Sequence, residues 1–176
     1  LNIGWDNILE KENTDDNFNT EKELKEIKNP QTKCGDLIIL GDHKLLCADS
    51  TDINAVKKLF EEDKPSMIYS DPIYNINLSY DKGISGKANY GGTVNDNKSV
   101  EEYKEFIRKS MLAALSVANK DFHCFYWCDE SLVWIFQTLY NELSIKNRRL
   151  NIWVKNGFSP TPKIAFNKST EYCVYG

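Results

Sequence analysis

The sequence predicts an α/β fold on a mostly parallel sheet, and three observations carry that expectation. Short apolar runs alternate with amphipathic stretches of ten to fifteen residues, the pattern of crossover units in which a helix returns the chain to a parallel neighbouring strand. The run Ser66–Ser70 is apolar through its middle and polar at its end, as in strands of a buried parallel sheet. Two polar clusters, Asp49-Ser50 and Asp71-Pro72-Ile73-Tyr74-Asn75, directly follow strand-like runs, at the carboxyl ends where open α/β sheets bind ligands.

The elements follow in chain order. Residues 1–32 are rich in Asn, Asp, Glu and Lys and poor in apolar anchors, so they read as an acidic linker or extension. One short helix is expected inside it, because Thr20 and Glu23 have capping-box spacing, with Leu24 and Ile27 on its apolar side. Two strands, Asp36–Leu40 and Lys44–Ala48, are joined at Gly41-Asp42-His43. Thr51 or Asp52 caps a helix over Ile53–Glu62 whose Val56, Leu59 and Phe60 share a face. Residues 81–98 hold four of the nine glycines and few aliphatic side chains, which predicts a long mobile loop of the kind that is functional or disordered in compact domains.

Ser99 and Glu102 repeat the capping-box spacing before a helix with Tyr103, Ile107, Met111, Ala114 and Ala118 along one stripe. Phe122–Trp127 reads as a buried strand, and Asp129 opens a helix through Leu143 with Leu132, Phe136, Leu139 and Leu143 inward. Leu150–Val154 and Tyr172–Tyr175 are the last strand candidates.

The 176 residues are 41% apolar, 27% charged and 12% aromatic, which excludes disorder throughout and collagen-like structure. A chain of this length buries roughly 70% of its unfolded surface, so a core needs no disulfide or metal. The net charge of −4 is already present in residues 1–36, with nine acids and five lysines. Residues 144–176 hold six basic side chains, Lys146, Arg148, Arg149, Lys155, Lys163 and Lys168, against Glu171 alone, a local field that suits a polyanion. The five cysteines are odd in number without a C-x-x-C pair, and no charged and then apolar leader is visible, which together suggest a reducing cytoplasm. The longest apolar stretches are about eight residues, too short to span a bilayer.

The run Asp71-Pro72-Ile73-Tyr74-Asn75 places a carboxylate, a rigid carbonyl and an aromatic face in one short turn after a strand. It resembles the Asp-Pro-Pro-Tyr motif of amino-directed DNA methyltransferases. Lys33–Asp52, "KCGDLIILGDHKLLCADSTD", is similar to the segment before that motif in phage-type adenine methyltransferases that follow a ParB-like domain. Leu150–Gly176, with "IWVKNGF" and "TEYCVYG", is similar to the segment after it. About 140 residues are covered, in the order of the permuted, beta-class-like group whose catalytic motif precedes the glycine motif.

The resemblance implies a Rossmann-like methyltransferase fold, incomplete in this chain, with residues 33–176 as part of the catalytic domain. It implies S-adenosylmethionine as cofactor and double-stranded DNA as partner, with N6 of adenine methylated after base flipping. Asp71 and the Pro72 carbonyl would take the two amino hydrogens and orient the nitrogen lone pair, and Tyr74 would stack on the base. Asp49, Ser50 and Asp71 are the candidate cofactor residues, and Asn75, Lys155, Arg148 and Arg149 the candidate DNA contacts. A homodimer and a restriction-modification setting are compatible with this reading. The family's second proline is replaced by Ile73, and its Phe-x-Gly-x-Gly motif is absent from these residues, so the chain by itself is expected to be inactive.

Blander readings stand beside these. Asp49 serves equally as a helix cap, Tyr74 as a core aromatic, and the basic residues as a solvated face. Cys34, His43 and Cys47 match no common zinc spacing and lack a fourth ligand. Methylation of N4 of cytosine uses the same amino chemistry, although related motifs there more often begin with Ser. A DNA-binding module that has lost catalysis is the reading from another class.

Overall fold

A computed structural model describes residues 31–77, 95–159 and 168–176, together with Asn19, Lys22, Glu26, Ile27 and Asn29. The chain divides into two compact units, Leu1–Lys33 and Cys34–Gly176. In the first, Lys22 and Glu26 are helical and form an i,i+4 pair at 3.9 Å. The capping pair Thr20 and Glu23, with Leu24, lies outside the described residues, as do residues 81–94 of the expected loop and Lys163.

The second unit begins with a hairpin of β1 (Leu37–Leu40) and β2 (His43–Leu46), registered from Leu37 opposite Leu46 to Leu40 opposite His43. Gly41, at φ 61°, takes the first turn position, where two-residue hairpins favour a residue without a side chain. Helix α1 (Ile53–Phe60) starts at Asp52, whose carboxylate accepts from the Asn54 amide at 2.9 Å. Val56, Leu59 and Phe60 are half-buried there, so α1 is a weakly anchored cover.

The main sheet comprises β3 (Met67–Ser70), β4 (His123–Cys128), β5 (Arg149–Ser159) and β6 (Lys168–Tyr175), in the order β3-β4-β6-β5. Helix α2 (Val100–Leu115) lies between β3 and β4 in sequence and makes them parallel, with Met67 opposite His123 and Ser70 opposite Tyr126. Its capping box is complete: the Glu102 amide donates to Ser99 Oγ at 3.2 Å and the Ser99 amide to Glu102 Oε2 at 2.9 Å.

The expectation of a mostly parallel sheet is corrected here, because β6 runs antiparallel to both β4 and β5. A parallel return needs a dozen or more connecting residues, usually a helix. Only residues 160–167 separate β5 from β6, so the two form a hairpin that brings β6 between β4 and β5.

Helix α3 (Val133–Glu142) follows a single 3-10 turn at Glu130–Leu132, so the helix expected to open at Asp129 begins four residues later. The cause is local: Asp129 Oδ1 accepts from both the amide and the hydroxyl of Ser131, at 3.0 and 2.7 Å, and tightens the first turn. On the α2 stripe, Tyr103, Ile107 and Met111 are buried, while Ala114 and Ala118 sit at the margin beside buried Ala113. Phe136 and Leu139 of α3 reach the core together with Ile135 and Tyr140, and Leu132 and Leu143 are half-buried at its edge.

Strand β4 alternates strictly, with Cys124, Tyr126 and Cys128 buried against the helices. The opposite sheet face carries aromatic rings: Phe125 stacks on Tyr175 at 4.7 Å, Trp127 Nε1 donates to the Tyr69 hydroxyl at 2.6 Å, and Tyr69 and Trp153 are largely exposed. Among the described residues no helix is long and apolar enough to cross a membrane.

Candidate active site at the carboxyl end of β3

Strands β3 and β4 are parallel neighbours, β4 running two residues beyond the last pair of Ser70 and Tyr126, and each is followed by an aspartate, Asp71 and Asp129. The two have different surroundings. Asp129 is tied to Ser131 and lies 2.8 Å from Lys168 Nζ, which also reaches Glu130 at 3.3 Å. Burial pushes the Asp129 carboxyl up, but the Lys168 and Ser131 bonds outweigh it and hold the group below its ordinary value. Asp71 is exposed at the mouth of a cavity of ≈ 360 Å³ lined by Asp71, Pro72, Ile73, Tyr74, Ile76, Asp96 and Glu171.

The Tyr74 phenol lies by the Asp71 carboxylate, and burial first, followed by the interaction with Asp71, raises its pKa far above the tyrosine norm. It therefore stays a neutral donor. A carboxylate has about four lone-pair positions, so Asp71 retains acceptor capacity beside this interaction.

The loop after β3 is fixed at alternate residues. Tyr103 Oη donates to the Ile73 carbonyl at 2.7 Å, the Asn75 amide donates to Asp96 Oδ1 at 2.7 Å, and the Asn77 amide donates to the Asp96 carbonyl at 2.8 Å. The Asn75 side chain grips the backbone of Lys98 at both ends, its Nδ2 donating to the carbonyl at 2.9 Å and its Oδ1 accepting from the amide at 2.7 Å. Asn75 and Asn77 sit at φ 55° and 56°, a region asparagine tolerates better than other side chains. The residues between these ties, Tyr74 and Ile76, line the cavity together with Pro72 and Ile73.

The structure thus brings Asp71, Pro72 and Tyr74 together. Asn75 belongs to the same loop, but its amide is committed to Lys98. Asp49 does not line the cavity: its Oδ1 accepts from the amide and hydroxyl of Thr51, both at 2.8 Å, and the Thr51 amide bond is the main cause of its lowered pKa. Ser50 lines a second cavity of ≈ 260 Å³ between α1, β3 and α2, together with Ser70. Because Ser70 and Asp71 are consecutive, the two cavities meet the chain at neighbouring residues.

Lys155 reaches the first cavity indirectly, through an ion pair with Glu171, and its ammonium lies 5.6 Å from the Trp153 ring. Arg148 and Arg149 lie at the start of β5, at the far edge of the sheet from β3, with Arg149 opposite Tyr175. Three strand spacings, about 14 Å, separate that edge from β3. Asp96, Glu171 and Tyr103 are the site residues that sequence reasoning missed. Glu171 had a signal, being the single acid in a basic segment; Tyr103 read only as core, and Asp96 lay inside an expected loop.

Among the described residues no group of three or more His, Cys, Asp or Glu side chains is placed to hold a metal ion. The sequence matches no family model and no curated protein. The fold is similar to the crystal structure of M1.HpyAVI, with a TM-score of 0.46 and 16% identity over 73% of this chain and 52% of that one. It is similar also to the M1.HpyAVI-SAM complex, with a TM-score of 0.47 and 15% identity over 73% of this chain and 50% of that one. The chain spans about half the length of these structures.

Proposed function

We propose that residues 33–176 are part of the catalytic domain of an S-adenosylmethionine-dependent DNA methyltransferase acting on N6 of adenine, with residues 1–32 as an extension. The observation that carries this reading is the convergence of Asp71, Pro72 and Tyr74 on one cavity at the end of a parallel strand. An exocyclic amino nitrogen is a weak nucleophile because its lone pair is delocalised into the ring. Asp71 accepts one of its hydrogens and takes the proton the nitrogen sheds; the Pro72 carbonyl accepts the other; Tyr74 stacks on the flipped base.

The cavity lining fits the cofactor in charge, since among the described residues it comprises the carboxylates of Asp71, Asp96 and Glu171, the last paired with Lys155, and no basic side chain, which suits a positive sulfonium. When bound, S-adenosylmethionine supplies the electrophilic methyl group. Asp71 and Ser50 are the residues proposed to hold it; Asp49, engaged with Thr51, shapes the turn that presents Ser50. Double-stranded DNA is the proposed partner, and a reducing cytoplasm suits the buried free thiols of Cys124, Cys128 and Cys173.

The test is methyl transfer from tritiated S-adenosylmethionine to unmethylated plasmid DNA by the full-length protein, with the modified base identified after digestion. N6-methyladenine is expected, and Asp71→Ala should lose at least about a hundredfold in rate. Absence of transfer, or equal rates for wild type and Asp71→Ala, overturns the proposal.

A further inference from the structure

Tyr74 is held in an unusual way. Its two flanking peptide units are each fixed by a side chain from elsewhere in the chain. The unit joining Ile73 to Tyr74 is held through its carbonyl by Tyr103 Oη at 2.7 Å, and the unit joining Tyr74 to Asn75 through its amide by Asp96 Oδ1 at 2.7 Å. Both anchors are buried, Tyr103 fully and Asp96 to 4% exposure. Tyr103 in turn packs against the rings of Phe106 and Phe136, whose centroids are each 6.4 Å from its own. The Asp96 carbonyl also receives the Asn77 amide at 2.8 Å, so the same residue holds the chain on both sides of Ile76.

We propose that Tyr103 and Asp96 are positioning residues for the methyl transfer inferred above: by fixing the two peptide planes around Tyr74, they set where its ring meets the base. The proposal rests on that functional reading. Its physical basis is that a hydrogen bond to a peptide plane restricts ψ of the residue before it and φ of the residue after it. Two planes held in this way narrow the backbone freedom of Tyr74 from both sides. A ring placed in advance loses little freedom when a base stacks on it, and small misplacements of a reacting pair cost large factors in rate. Core packing alone would not require a hydrogen bond from a buried phenol to this particular carbonyl.

The experiment uses the full-length protein, tritiated S-adenosylmethionine and unmethylated plasmid DNA under single-turnover conditions, which separates the rate constant from the fraction of competent molecules. Tyr103→Phe keeps the ring and removes the bond; Asp96→Ala removes the other. Each should lower the rate constant about tenfold or more, and in Tyr103→Phe, which leaves the cavity carboxylates in place, cofactor affinity should stay within about twofold. In a Tyr74→Ala background the same two substitutions should cause no further loss, because the residue they position is gone.

A merely structural role would lower thermal stability and the competent fraction and leave the rate constant unchanged. Rate constants within twofold of wild type for both variants overturn the proposal, as does full additivity with Tyr74→Ala. If one variant does not fold, the other decides. The two levels separate cleanly. An Asp71→Ala protein that transfers like wild type, or a wild type that transfers nothing, overturns the function and this role with it. An inactive Asp71→Ala beside unaffected anchor variants overturns the positioning role alone.

Discussion

The Tyr74 phenol and the Asp71 carboxylate interact at the cavity both residues line, so the residue proposed to stack on the base also bears on the residue proposed to bind its amino group. The two contributions separate by substitution. Tyr74→Phe keeps the aromatic face and removes the hydroxyl by Asp71, and transfer should fall by less than about fivefold. Tyr74→Ala removes the face; stacking on an aromatic ring is worth about 1–3 kcal/mol per base, so the loss should be about ten- to hundredfold. Single-turnover rates for the two variants check this, and equal losses would mean that the phenol rather than the ring matters.

Alkaline pH should destabilise the second unit earlier than a typical domain. Burial pushes the thiols of Cys124 and Cys173 up to about 11 and that of Cys128 up to about 12, from an ordinary value of 9.0. All three pKa values are raised in the folded state. Their contribution is therefore intact below pH 9 and is lost as pH rises through the folded values. Each group contributes a slope of about 1.4 kcal/mol per pH unit, so the three together reach roughly 4 kcal/mol per unit above pH 9. Urea midpoints between pH 7 and 11 should be flat to about pH 8 and then fall. Cys128→Ala should make that fall shallower, and an unchanged slope would refute the assignment.

Asn75 was a candidate DNA contact by its place in the motif, and its geometry points to a structural task. Its side chain makes two bonds to the Lys98 backbone and its own amide binds Asp96. Asn75→Ala should therefore lower stability by about 2–3 kcal/mol, since it leaves part-buried backbone groups of Lys98 unpaired and strains a positive φ. DNA affinity measured well below the melting temperature should change by less than about threefold. A large affinity loss with unchanged stability would restore the DNA-contact reading.

What the sequence disclosed was local chemistry. The Ser99 and Glu102 capping box, the hairpin at Gly41 and the strand leading into Asp71 each depend on residues a few positions apart, and each formed, the hairpin with a turn one residue tighter than expected because His43 already pairs with Leu40. The direction of β6 was not legible, because strand pairing is settled by the shortness of the link at 160–167 rather than by the apolar pattern of either strand. The same holds within the site. Asp71, Pro72 and Tyr74 are contiguous and could be read together, whereas Tyr103, Asp96 and Glu171 lie 20 or more residues along the chain from the cavity residues they join. Tyr103 could be seen to be buried, but nothing in a helical stripe tells which carbonyl its hydroxyl will meet.

The basic residues should divide by position. Lys155 is paired with Glu171, whereas Arg148 and Arg149 are exposed at the far edge of the sheet. Phosphate contacts made by the arginines would steepen the salt dependence of binding without touching the chemistry. Arg148→Ala combined with Arg149→Ala is expected to reduce the slope of log K against log salt by about 1–2 and leave the single-turnover rate at saturating DNA unchanged. Lys155→Ala, by releasing Glu171 at the cavity, should lower the rate instead. The opposite assignment of the two effects would mean that the DNA path crosses the β5 edge differently from this geometry.

Lys168 joins the start of β6 to the end of β4 by bridging Asp129 and Glu130, and its own pKa is raised because those bonds outweigh the burial that opposes them. In Asp129 the balance runs likewise: burial pushes the carboxyl up, and Lys168 with Ser131 brings it below 3.8. A folded pKa below the unfolded one stabilises above that unfolded value and ceases to do so as pH falls through the folded one. Lys168→Met keeps the aliphatic stem and removes the charge, so the burial of Asp129 is left with Ser131 alone against it. The Asp129 carboxyl should then titrate at higher pH, acid unfolding should begin earlier, and stability at pH 7 should drop by about 1–2 kcal/mol, less than a fully buried pair would lose because both side chains keep some solvent contact. Carboxyl NMR titration with acid urea midpoints reads both effects. An Asp129 titration that does not move would mean that Ser131 alone sets it, and that the β4 and β6 ends are held by their backbone pairing without help from this ion pair.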